Sequence, residues 1–165
     1  MNETWRAQQR GPTEVTITSN GPDDTARAAA ALAPHLRAGD VLLLTGGLAA
    51  GKTTFTSALV AALGSTAAVT SPTFSLANFY DTPGPRVLHV DTYRLDDLAE
   101  FRDLGLEEYL DEVIAVIEWG GLVDGEFDEP LRIAFAGDGT AREITLRGAD
   151  RWAPVLEALR AEVAA

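Results

Sequence analysis

Val41-Leu42-Leu43-Leu44-Thr45-Gly46-Gly47-Leu48-Ala49-Ala50-Gly51-Lys52-Thr53-Thr54-Phe55 is the stretch on which the fold turns. Four apolar residues in a row before Thr45 read as a strand buried on both faces, since a strand covered on one side alternates with period two. Residues 46–53 fit G-x-x-x-x-G-K-[ST], and Lys52 to Leu63 reads as a helix stopped by Gly64. Strand, glycine-rich turn and helix in that order let backbone N–H groups and the positive helix terminus converge on phosphate oxygens. Lys52 is expected to reach the β- and γ-phosphates and the Thr53 hydroxyl to ligate Mg²⁺. Gly46, Ala49, Ala50, Gly51 and Thr54 are expected to complete the cradle. The stretch predicts a nucleoside triphosphate site.

Composition narrows the rest. At 165 residues the chain suits one domain with its own core, and 46% hydrophobic with 23% charged residues is ordinary globular usage. No apolar run approaches the ~20 residues that span a bilayer, and residues 1–14 lack the apolar centre of a signal peptide. The expectation is a cytoplasmic protein with no membrane contact. With 0 cysteines, disulfides, thiolate zinc sites and cysteine nucleophiles are excluded. The net charge of −12 is uneven: residues 91–130 hold 14 acidic residues against Arg94 and Arg102, and the remainder is neutral. Such a segment repels phosphate backbones, so stand-alone nucleic-acid binding is not expected. It reads either as a solvated face or as a docking surface for a basic protein. Of 13 basic residues only Lys52 is lysine, which singles out a compact ammonium at that position.

Patterning predicts one α/β domain over residues 14–165 after a flexible polar tail, residues 1–13. Val15–Thr18 reads as a strand, followed by a helix that Asp23, Asp24 or Thr25 could cap and that Pro34 interrupts. Ser75–Tyr80 and Arg86–Asp91 read as strands joined by a turn, residues 96–111 as an acidic helix, and Val113–Ile117 as a second buried strand ending at Glu118. Residues 121–130 read as a loop, Leu131–Ala136 with Glu143–Arg147 as a hairpin, and the chain from about Arg151 as a helix. A phosphate site also needs an acid at a strand end, to hold Mg²⁺ or orient water. Asp91 and Glu118 each end an apolar strand and are both candidates. Trp119 either lines the pocket or packs against the domain.

Four segments then resemble one family. LTGGLAAGKTTF (44–55), VTSPTF (69–74), LHVDTYRL (88–95) and IEW (117–119) occur in the order and spacing of the TsaE (older name YjeE) proteins, and the likeness extends over roughly residues 15–150. The resemblance implies a P-loop NTPase-like three-layer fold whose central, mainly parallel sheet is extended by antiparallel strands. It implies a Mg-dependent ATPase, feeble alone, in transfer-RNA threonylcarbamoyladenosine modification. Such proteins act with TsaB and TsaD, resetting that complex between turnovers and meeting tRNA only through it.

Carried over, Lys52 contacts phosphates, Glu118 orients water near Mg²⁺ and the γ-phosphate, and Asp91 completes the metal shell. Ser71 and Thr73 would sense the γ-phosphate, and Arg94 would touch partner or phosphate. Thr25 and Arg142 would lie near adenine. The family's usual G-D-L-G-A-G-K-T is altered at Gly47 and Ala49. If the backbone at Ala49 needs positive φ, alanine costs about 1–2 kcal/mol. A nucleotide-gated module that needs no hydrolysis and a small-molecule kinase remain the other readings, although no compact two-arginine lid stands out for the latter.

Overall fold

The computed structural model describes residues 13–47, 51–69, 77–93, 95–118, 120–137 and 141–164. In chain order the regular elements are β1 (Glu14–Ser19), α1 (Pro22–Leu32), β2 (Val41–Gly46), α2 (Lys52–Ala62), β3 (Ala77–Tyr80), β4 (Arg86–Asp91), α3 (Leu98–Asp103), β5 (Val113–Glu118), β6 (Leu131–Ala136), β7 (Arg142–Arg147) and α4 (Ala153–Ala164). Short 3₁₀ turns lie at Ala33–His35, Glu107–Tyr109, Gly120–Val123 and Asp150–Trp152. The tail expected over residues 1–13 lies outside the described residues except for Thr13.

All seven strands form one sheet in the order β1-β7-β6-β2-β5-β4-β3. Its centre, β6-β2-β5-β4, is parallel, while β3 and the β7-β1 pair add antiparallel edges. Position in the sheet explains each strand's composition. Residues 41–44 of β2 and all of β5 are buried, because both faces there are covered. β1 and β6 alternate buried and exposed, so their flank is covered on one face only.

Two apolar clusters follow from this. One joins Leu42, Leu44, Phe55, Val116 and Ile133 to residues of α1, α2 and α4. The other places Leu43, Leu88, Val90 and Ile117 against Phe101 of α3, Leu106 and Val123. The result is a three-layer P-loop NTPase-like α/β fold. Trp152, 1% exposed, fastens the start of α4 by donating from Nε1 to the Glu129 carbonyl at 2.8 Å. Its neighbour Arg151 reaches the buried Asp40 carboxylate at 2.6 Å, just ahead of β2.

Two expectations are corrected. The acidic helix of residues 96–111 is much shorter: α3 covers Leu98–Asp103, and only a 3₁₀ turn follows at Glu107–Tyr109. Asp97 caps its start by accepting from the Glu100 N–H at 3.0 Å, and Gly105 at φ +68° turns the chain out of the helix. The first helix is not capped by Asp23, Asp24 or Thr25. It starts with Pro22 in its first turn behind Gly21, where a missing N–H costs nothing. Asp24 instead accepts from the Asn20 N–H at 2.9 Å, and the Thr25 hydroxyl lies 2.7 Å from that of Ser19.

Candidate functional site

A parallel sheet collects its carboxyl strand ends on one edge, and here that edge brings the end of β2 and the start of α2 beside two acids. β2 ends at Gly46 with φ +147°, and α2 begins at Lys52 behind Gly51 with φ +104°, a backbone setting that an L side chain rarely adopts. The first helical bond of α2 is Phe55 N–H to the Gly51 carbonyl at 2.9 Å. Helix geometry therefore leaves the N–H groups of Gly51, Lys52, Thr53 and Thr54 without intrahelical acceptors. These donors, with the helix dipole behind them, suit an anion.

The Lys52 side chain is buried, and its Nζ donates to the Gly46 and Gly47 carbonyls at 2.6 and 3.1 Å. Burial pushes its pKa below the ordinary lysine value, while Glu118 and then Asp91 pull it back up. Those acids sit side by side, since Asp91 of β4 and Glu118 of β5 are register partners, and Glu118 is also paired with Leu44 of β2. Strand alternation sends the Glu118 side chain to the same face as Val116, the face covered by α2. The Thr53 hydroxyl lies 3.5 Å from Glu118 Oε1. Asp91 is half-buried, and its Oδ1 accepts from the Tyr93 N–H at 2.9 Å.

One member of the constellation was not singled out in the sequence. His89, 0% exposed, is hydrogen-bonded through Nε2 to Glu118 Oε2, and its Nδ1 has no partner among the described residues. Thr92 holds the main-chain end of the same residue, its hydroxyl and N–H both donating to the Glu118 carbonyl at 3.0 and 3.3 Å. A signal for His89 was present: it stands two residues before Asp91, hence on the same strand face.

Thr53, Glu118 and Asp91 supply hard oxygen donors of the kind Mg²⁺ takes. Among the described residues no group of three or more His, Cys, Asp or Glu side chains could hold a metal alone. The donor set thus fits an ion shared with phosphate oxygens and water, the usual habit of Mg²⁺. Thr25 and Arg142 lie at the same edge but elsewhere. Arg142 is paired with Ser19, whose hydroxyl meets Thr25, and β7 is two strand spacings, about 10 Å, from β2. A separate groove of about 270 Å³, lined by Leu43, Thr45, Arg132 and Arg147, opens on the opposite sheet face from α2. Ala49, Ala50, Ser71, Thr73, Arg94 and Trp119 lie outside the described residues, as does the question of φ at Ala49.

Fold and edge together define an α/β protein of the P-loop class, with a buried lysine facing strand-end carboxylates. Comparison with known proteins refines that class. The profile of the family described as "Threonylcarbamoyl adenosine biosynthesis protein TsaE" matches residues 19–144. A Streptomyces coelicolor protein named tRNA threonylcarbamoyladenosine biosynthesis protein TsaE is 43% identical over 132 residues, 74% of this chain and 89% of that one. The Bacillus subtilis protein of the same name is 41% identical over 128 residues, 75% and 79% of the two chains. The crystal structure of Bacillus subtilis YdiB superposes with a TM-score of 0.73 at 31% identity, covering 90% of this chain and 95% of that one. The chain belongs to the TsaE family.

Proposed function

We propose that this protein serves transfer-RNA threonylcarbamoyladenosine biosynthesis as a Mg-dependent ATPase of the cytoplasm, working with TsaB and TsaD and meeting tRNA only through them. Family membership supports the pathway. The observation that carries the chemistry is the meeting of Lys52 and Thr53, at the start of α2, with Glu118 and Asp91 at adjoining strand ends.

On this reading the N–H groups of residues 51–54 bind the phosphate chain, and Lys52 leaves the Gly46 and Gly47 carbonyls to neutralise its outer end. Thr53 and the acids would hold Mg²⁺, which when bound neutralises charge building on the phosphate oxygens. Glu118, with one oxygen turned toward Thr53, orients the attacking water and takes its proton. Asp91 keeps the neighbouring position negative and hydrated.

The test is steady-state ATP hydrolysis by the protein alone and with its TsaB–TsaD pair, using Glu118→Ala as control. The expected result is low basal turnover, marked stimulation by the pair, and loss of about a hundredfold or more in the variant. Partner-dependent modification that survives intact in Glu118→Ala would instead establish a nucleotide-gated module.

A further inference from the structure

His89 is a buried imidazole with one hydrogen bond among the described residues, and that bond goes to the acid on which hydrolysis is proposed to depend. Its place is set by the sheet. On β4 it is the register partner of Val116, so it lies diagonally across from Glu118 on the α2 face. Tyr80 of β3 lies alongside, with ring centroids 6.4 Å apart and planes tilted by 34°.

A ring whose only task was to fill this space would be better replaced by an apolar side chain, since Nδ1 is buried without a partner among the described residues. What the imidazole adds is a donor at a fixed point inside the sheet. It ties down Glu118 Oε2, while Oε1 remains on the side of Thr53. The Thr92 contacts to the Glu118 carbonyl pin the main chain of that residue, whereas among the described residues its carboxylate is held by His89 at Oε2 and by the longer Thr53 contact at Oε1.

We propose that His89 is a positioning residue, its Nε2–H locking the Glu118 carboxylate so that Oε1 is presented toward the first turn of α2. This rests on the hydrolytic reading above and deepens it. His89 acts through Glu118 alone, the Nε2-protonated tautomer being the one that can donate to Oε2.

The test uses the full chain in three variants. His89→Leu removes the donor, His89→Asn places an amide nearer to the Nδ1 position where it does not reach Glu118, and His89→Gln restores a donor close to the Nε2 position. Single-turnover ATP hydrolysis, the dissociation constant of a fluorescent ATP analogue and thermal unfolding are measured for each. His89→Leu is expected to slow turnover tenfold or more with analogue affinity within threefold, and His89→Gln to recover most of the rate. If His89→Leu does not fold, His89→Asn carries the comparison.

In a Glu118→Ala background His89→Leu should add nothing, because a residue acting through Glu118 has no effect once Glu118 is gone. Wild-type turnover in His89→Leu, or full additivity with Glu118→Ala, overturns the proposal. The nucleotide-free protein gives a reading independent of activity. With 2 histidines in the chain, the nitrogen spectrum of the rings is assigned by one His35 substitution. An Nε2–H tautomer at His89 that is perturbed by Glu118→Gln supports the proposal, and an Nδ1–H tautomer overturns it. Absence of hydrolysis in the wild type would remove the hydrolytic reading, and the spectrum then decides alone whether His89 holds Glu118.

Discussion

Lys52 shows how a residue can be costly to the fold while standing at the centre of the candidate site. Its ammonium is held in a largely buried position by two carbonyls and two nearby acids, with burial depressing its pKa. Charge kept out of water costs stability. Lys52→Met should therefore melt at the same temperature as wild type or higher at pH 7, while losing detectable binding of ATP. A clear drop in melting temperature together with unchanged ATP affinity would show that the lysine serves packing instead. The same residue marks what sequence could reveal. Lys52, Thr53, Asp91 and Glu118 were legible because motif spacing and strand ends are local properties. His89 was less so: it shares the strand face of Asp91, but its meaning comes from the β4–β5 register that sets Glu118 diagonally across from it.

At the scale of elements, punctuation by glycine decides where helices end. Gly64 follows α2 with φ +99°, and a Cβ there would stand 2.7 Å from Pro83 Cδ. Gly64→Ala should destabilise the fold by about 1–2 kcal/mol from backbone strain alone, with the Pro83 contact adding to it. Urea unfolding should show a lower midpoint at unchanged slope. Gly105 does the same for α3, whose length was misjudged from sequence because acidic residues continue past it and give no stop signal of their own.

α3 is tied to the turn after β5 by Arg102, which donates to both Glu126 oxygens at 3.1 and 2.7 Å. That hydrogen bonding, and then the guanidinium charge, hold the Glu126 pKa below the ordinary 4.5. A carboxylate with a depressed folded value adds stability above its unfolded value and loses it as pH falls through the folded one. The melting temperature of Arg102→Ala should thus lie slightly below wild type at pH 7, and the gap should close once pH falls below the depressed value. Both side chains meet solvent, so 0.5 M salt should shrink the gap as well. A gap that persisted in acid would mean Arg102 contributes by packing.

For the whole molecule, the strand order was the least legible feature, because chain order does not reveal that β2 lies between β5 and β6. The parallel centre with antiparallel edges was what the family resemblance implied, while the residues themselves indicated the buried runs of β2 and β5 and the β6–β7 hairpin. The uneven charge becomes interpretable only in three dimensions. Asp96, Asp97, Glu100, Asp103, Glu107, Glu108, Asp111 and Glu112 are all exposed, and they surround the α3 side of the second apolar cluster. If this face meets TsaB–TsaD, long-range attraction to a basic surface should speed association and weaken with ionic strength.

Replacing Glu108 and Glu112 by lysine removes two charges and adds two of opposite sign, without touching the strand-end site. The double variant should keep the wild-type basal rate of ATP hydrolysis. It should also need roughly three- to tenfold more TsaB–TsaD for half-maximal stimulation at low salt. In 0.5 M salt, where the screening length falls well below 10 Å, variant and wild type should converge. Equal stimulation at low salt would assign the acidic face to solvation. The docking surface would then have to be sought nearer the edge that holds Lys52 and Glu118.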